Sequence, residues 1–144
     1  MKTDLKGAAR LLLDRDDIVI LTHQNPDGDT LGCAFALYYT LTALGKRVRV
    51  ENEKPIPKKY GFLFENYKHT EFEEKTVVAV DIASTSLFGK GLERYIGRVD
   101  LCIDHHKSNT EYADLTLLST TVAAACEIVY DVIIEMCGKI SDEA

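Results

Sequence analysis

The chain has 144 residues, of which 46% are hydrophobic and 28% charged, and its formal net charge is −6. That is the size of one globular domain with a sizeable core, and the balance excludes both a fibre and a disordered chain. The acidic excess excludes a general nucleic-acid coating protein, which carries a basic patch, but not a small phosphorylated ligand whose charge is met locally by metal ions.

Residues 4–14 place Leu5, Ala8, Ala9 and Leu12 on one face, which predicts a short helix. The N-terminal stretch MKTDLKGAARLLLDRDD has only three consecutive leucines before its acids, so it does not read as a signal peptide. Ile18–Leu21 predicts a buried strand that ends at the polar loop THQNPDGDTLG. From Thr30 to Leu44, the residues Leu31, Ala34, Phe35, Tyr38 and Leu41 recur at helical spacing, and Gly45 follows as a stop. RVRVE (47–51) alternates like a strand, and KPIP (54–57) reads as a breaker. TVVAVD (76–81), VDLCID (99–104) and DLTLLS (114–119) predict three further strands. Thr121–Cys137 carries Val122, Cys126, Val129 and Ile133 on one stripe, with Gly138 after it. In KISDEA, Ile140, Ser141, Asp142 and Glu143 resemble the start of another helix, so a fragment of a longer protein is expected.

Strands alternating with helices imply an α/β fold: a Rossmann-like, mostly parallel sheet of about five strands flanked by helices in three layers. No apolar run is long enough to span a bilayer. Cys33, Cys102, Cys126 and Cys137 have no CxxC spacing and apolar neighbours, which reads as buried thiols of a reducing, cytoplasmic compartment.

In open α/β sheets, ligands bind beyond the carboxyl ends of the strands. His23, Asp27, Asp29, Asp81, Asp104, His105 and His106 all fall at or just after such ends. Asp27 and Asp29 flank Gly28, which is expected to let the backbone turn, and the next helix would offer amide donors to a phosphate. The plain reading of PDGD is a turn with an N-cap, and an acid after a strand often only caps a loop. Two imidazoles and three or four carboxylates on one rim change that balance. Crowded like charges repel, and a cation relieves them. Carboxylate and imidazole without thiolate suit Mn²⁺, Mg²⁺, Co²⁺ or Zn²⁺, and so many donors suit a pair of ions. His69, in YKHTE, reads as a surface residue.

His23-x3-Asp27-x-Asp29, Asp81 and Asp104-His105-His106 resemble, in order, the first three motifs of the DHH phosphoesterases. THQNPDGDTLG and VDIASTS look most like the branch that degrades short oligoribonucleotides and dephosphorylates 3′-phosphoadenosine 5′-phosphate. The resemblance implies a site for two Mn²⁺ ions, with Mg²⁺ or Co²⁺ as substitutes, and hydrolysis by water that the ions activate. It implies His23 and Asp27 on one ion, Asp29 and His105 on the other, and Asp81 between them. Asp104 would orient a neighbouring imidazole, and His106 would meet the substrate phosphate, donating a hydrogen bond or a proton. Glu127 matches a glutamate of this branch, although its plain reading, a polar residue at the edge of a helix stripe, is preferred.

The family also has a fourth metal-binding aspartate and a smaller C-terminal substrate-binding domain, which are not found in residues 1–144. The chain is therefore expected to be an N-terminal catalytic domain that binds one metal weakly and hydrolyses poorly alone. Its partners would be a short oligonucleotide or a nucleoside 3′,5′-bisphosphate, no membrane, and, as an assembly left open, a second copy in a homodimer. Two other readings remain: a manganese-type inorganic pyrophosphatase, whose first motif HxNPDxD resembles, and a non-catalytic nucleotide-binding module.

Overall fold

Short runs of valine, isoleucine and leucine become strands here because each can bury both faces at once. The computed structural model describes residues 1–53 and 55–144; Lys54, the first residue of the expected breaker, lies outside the described residues. Strands β1 (Ile18–Leu21), β2 (Val48–Glu51), β3 (Thr76–Val80), β4 (Leu101–Asp104) and β5 (Leu115–Leu118) form one sheet in the order β2-β1-β3-β4-β5. Every strand pair is parallel. Side chains alternate between two cores, as a period of two requires. Ile18, Ile20, Val78, Val80 and Ile103 face one core, and Val19, Leu21, Val77, Ala79 and Cys102 face the other.

Helices α1 (Leu5–Asp14), α2 (Gly28–Ala43) and α3 (Ala125–Cys137) close the first core. The second is closed by the chain between β3 and β4, where 3-10 turns at Thr85–Leu87 and Lys90–Tyr95 bring Phe88, Leu92 and Tyr95 onto the sheet. The architecture is thus three-layered, with one outer layer built of turns rather than α-helices. These turns, and a 3-10 segment at Lys58–Phe64, had no clear periodic signal in the sequence. No helix among the described residues is long and apolar enough to cross a membrane.

Helix α2 starts before the expected Thr30, because Asp27 is its N-cap: Oδ1 accepts the N–H groups of Asp29 (3.0 Å) and Thr30 (3.2 Å). Gly28 therefore sits in the first helical turn without a positive φ, and a Cβ there would meet only ordinary contacts with Tyr60. The expected need for glycine at that turn does not hold. Gly45 does end the helix as expected, at φ 83°, with Gly45 N–H bonded to the Thr42 carbonyl and Lys46 N–H to the Leu41 carbonyl.

Helix α3 starts at Ala125 and not at Thr121, because Ala124 is extended (φ −147°). Val122 consequently lies outside the helix, and the buried stripe is Ala125, Ile128, Val129, Val132 and Ile133. No helix forms within residues 139–144, although the Ser141 hydroxyl accepts the Ala144 N–H at 3.3 Å, the bond expected of an N-cap. Cys33 and Cys102 are buried as expected, whereas Cys126 and Cys137 are only half-buried; all four are free thiols.

Candidate metal centre

The sheet register carries the acids and imidazoles to one edge. Leu21 pairs with Ala79 and Val80 with Ile103, and neighbouring parallel strands lie about 4.8 Å apart. His23, Asp81 and Asp104 therefore leave three adjacent strands at nearly one level. The ladder continues one step further, since Asp81 N–H donates to the Ile103 carbonyl at 2.9 Å. Beneath it, the Thr30 hydroxyl donates to the Val80 carbonyl at 2.9 Å and fixes the start of α2 against the end of β3.

Asp81 is the centre of the cluster. Strand β3 stops one residue before the expected end because Asp81 takes a left-handed conformation (φ 58°), which costs an L-residue about 1–3 kcal/mol. It is 3% exposed, and its Oδ1 has no hydrogen-bond partner among the described residues. His105 Nε2 lies 3.5 Å and His106 Nδ1 3.6 Å from that oxygen, while His23 Nε2 is 3.9 Å from Oδ2. Burial first, and then the charge of Asp29, push its carboxyl up to about 7.

Asp27 lies 3.6 Å from His23 Nε2 through Oδ1, the oxygen that also caps α2. The turn-and-cap reading of PDGD thus holds, and the same aspartate also stands beside His23 at the sheet edge. One expectation fails: the N–H groups of Asp29 and Thr30 are taken by Asp27, so those helix donors are not free for a phosphate. Asp29 bridges two helices. Its Oδ2 accepts Ala125 N–H at 2.8 Å and its Oδ1 accepts Cys126 N–H at 2.9 Å, so a carboxylate on α2 caps the N-terminus of α3. Burial raises the Asp29 carboxyl, but these two N–H groups offset it, and the net effect is below the ordinary carboxylate value. The same Oδ2 is 3.6 Å from His105 Nε2.

Asp104 is wholly enclosed and faces its own loop. Oδ1 accepts from His105 N–H (2.8 Å), His106 N–H (3.3 Å) and His106 Nδ1 (2.7 Å), and Oδ2 from Asn109 Nδ2 (2.6 Å). Burial lowers the affinity of His106 for its proton, yet the Asp104 hydrogen bond and charge outweigh burial and leave it raised. The His106 side chain is 43% exposed and stands at the rim.

The structure therefore brings together all seven residues expected at this edge. Donor atoms of His23, Asp27 and Asp81, and those of Asp81, His105 and His106, lie within 4.8 Å of one another, with Asp81 common to both groups. Two donors sharing one ion at 2.1 Å stand about 3.4 Å apart. Imidazole-to-carboxylate gaps of 3.5–3.9 Å, too long for hydrogen bonds, are close to that spacing. An unpartnered buried carboxylate oxygen among imidazoles is the donor set that fits a divalent ion.

His69 takes no part: it is exposed and bonds Glu71 and Tyr67. Glu127 is exposed and accepts Ala123 N–H at 2.8 Å, closing the first turn of α3, in line with its plain reading. Asn109 was missed by the sequence reading; its only signal was an amide close behind the Asp-His-His run. Nothing in the linear order announced that Ala125 and Cys126 would hold Asp29.

The sequence matches the DHH family, N-terminal domain, over residues 17–143. It is 33% identical over 122 residues to the bifunctional oligoribonuclease and PAP phosphatase NrnA of Thermus thermophilus, covering 81% of this chain and 36% of that relative. The chain thus spans little more than a third of that relative's length. Among solved structures, an exopolyphosphatase-related protein from Bacteroides fragilis superposes with a TM-score of 0.74 at 21% identity, covering 96% of this chain and 46% of the other. The exonuclease RecJ, solved bound to manganese, superposes with a TM-score of 0.58 at 15% identity, covering 92% of this chain and 37% of the other. At such identities these two likenesses concern the fold.

Proposed function

The chain belongs to the DHH family, and from that premise we propose that it is the catalytic domain of a metal-dependent phosphoesterase. Its substrates would be short oligonucleotides or nucleoside 3′,5′-bisphosphates, as the name of the Thermus relative suggests. The observation that carries this reading is the buried Asp81 oxygen that faces two imidazoles and has no hydrogen-bond partner among the described residues.

His23 and Asp27 would hold one ion, His105 and Asp29 the other, with Asp81 between them. Manganese suits the carboxylate and imidazole donors, and RecJ supplies a manganese-bound example of the fold. When bound, the pair would lower the pKa of a water and offset charge on the phosphoryl group. Asp104 would act as a positioning residue, since its oxygens are occupied by its own loop. A carboxylate only accepts, so His106 Nδ1 carries the hydrogen and Nε2 is left for the substrate. A raised affinity for protons keeps more of His106 cationic near neutrality, ready to donate to the leaving oxygen.

Calorimetric Mn²⁺ titration of the chain and of Asp81→Asn tests the site, and turnover of a dinucleotide, 3′-phosphoadenosine 5′-phosphate and pyrophosphate tests the substrate. Asp81→Asn should lower Mn²⁺ affinity and any turnover by at least about 100-fold. Unchanged Mn²⁺ affinity in the variant would refute the site. Preference for pyrophosphate would favour a pyrophosphatase, and nucleotide binding without Mn²⁺-dependent turnover a sensor.

A further inference from the structure

The thiols of Cys33 on α2 and Cys126 in the first turn of α3 lie 3.5 Å apart, and Cys33 Sγ is 3.7 Å from Asp29 Oδ1. We propose that Asp29, Cys33 and Cys126 form a further metal site, selective for a soft divalent cation such as zinc or cadmium. The three donor atoms lie within 4.8 Å of one another. A tetrahedral zinc, with sulfur at 2.3 Å and oxygen at 2.1 Å, separates two sulfurs by about 3.8 Å and a sulfur from an oxygen by about 3.6 Å. The free thiols already stand at nearly those spacings.

Two features show that the arrangement is held in place. A Cβ at Gly32 would come within 3.0 Å of Cys126 Sγ, so the bare backbone of α2 leaves the space that this sulfur fills. Asp29 is held by the N–H groups of Ala125 and Cys126, which orient it as second partners orient metal ligands. Cys33 has no exposed surface, but Cys126 is half-buried and borders a groove lined by Val122, Glu127, Tyr130 and Asp131. An ion would enter past Cys126.

Thiolates select this site against the hard-donor cluster around Asp81. Binding releases one proton from each thiol to solvent and transfers no electrons. Cation, two thiolates and one carboxylate leave a net charge of −1, and the fourth position is open to water. Asp29 also faces His105, so a soft ion would compete with an ion held there. That competition rests on the proposed function, whereas binding at the thiols does not.

The test titrates the reduced, metal-free 144-residue chain with Cd²⁺ and reads the ultraviolet sulfur-to-cadmium charge-transfer absorbance. One Cd²⁺ per chain should bind, with an absorbance of two thiolates. Cys33→Ser and Cys126→Ser should each weaken binding at least about tenfold and remove half of the band or more. Cys102→Ser and Cys137→Ser should leave it intact. A chain without a saturable band, a band undiminished in Cys126→Ser, or loss of the band in Cys137→Ser would overturn the site. Cys126 is only half-buried, so its serine variant keeps the test open if Cys33→Ser does not fold. A chain that shows the band but binds no Mn²⁺ refutes the dimetal reading alone.

Discussion

Asp17 and Asp81 invite comparison because their backbones and burial match while their surroundings do not. Asp17 immediately precedes β1 and Asp81 immediately follows β3; they are 2% and 3% exposed, with φ of 51° and 58°. Asp17 meets Arg47 at 2.6 Å and Lys75 at 2.9 Å, and the Lys75 bond above all holds its carboxyl below the ordinary value. Among the described residues, the basic groups that Asp81 meets are imidazoles, and its carboxyl is pushed up to about 7. Arg49, 3% exposed between Glu51 and Glu74, repeats the first pattern. At these places the chain supplies its own counter-charge. At the carboxyl edge of β3 no lysine or arginine among the described residues does so, and under the proposed function bound ions would meet the charge, the pattern expected of an acid that serves a site.

The largest way to sharpen that contrast is pH. Asp81 binds its proton more tightly in the folded chain than its ordinary value of 3.8, so its stabilising contribution is complete below that value. It is lost as pH rises through about 7, because the charged form is then buried and close to the charge of Asp29. In metal-free chain, Asp81→Asn should match the parent near pH 4 and exceed it at pH 8 by roughly 2–4 kcal/mol, allowing for solvent screening. Urea denaturation across pH 4–8 measures this, and saturating Mn²⁺ should reverse the order. A difference independent of pH would break the comparison. Asp17→Asn should behave oppositely, destabilising the chain at neutral pH regardless of Mn²⁺ and losing that effect as pH falls.

Asn109→Ala probes the next level, since it frees one Asp104 oxygen and loosens the orientation of His106. Turnover should fall about 10–100-fold with the fold intact. An unchanged rate would mean that the backbone bonds to Asp104 suffice. The smallest effect belongs to Glu127→Ala, which removes the bond to Ala123 N–H and should cost about 0.5–1 kcal/mol in thermal denaturation. Mn²⁺ affinity should not change. A large loss of turnover would instead give Glu127 a role in the chemistry.

Strands and cores were legible wherever burial alone decides the pattern. All five strands, the Asp4 start of the first helix and the Gly45 stop follow from local chemistry. The start of α3 was misread because Val122 fits the helical spacing, while the residue that caps the helix, Asp29, is remote in sequence. The turns over the second core were obscure for a related reason: Phe88, Leu92 and Tyr95 bury themselves without a repeating period.

The amino-acid order alone determined that acids and imidazoles follow the strands, since hydrophobic runs must end where polar groups can reach solvent or a ligand. Parallel pairing in register, which depends on residues distant in the chain, then decided which donors meet. It also decided that one Asp81 oxygen would be left without a hydrogen bond among the described residues, that Asp104 would turn to its own loop, and that Cys33 and Cys126 would stand beside Asp29.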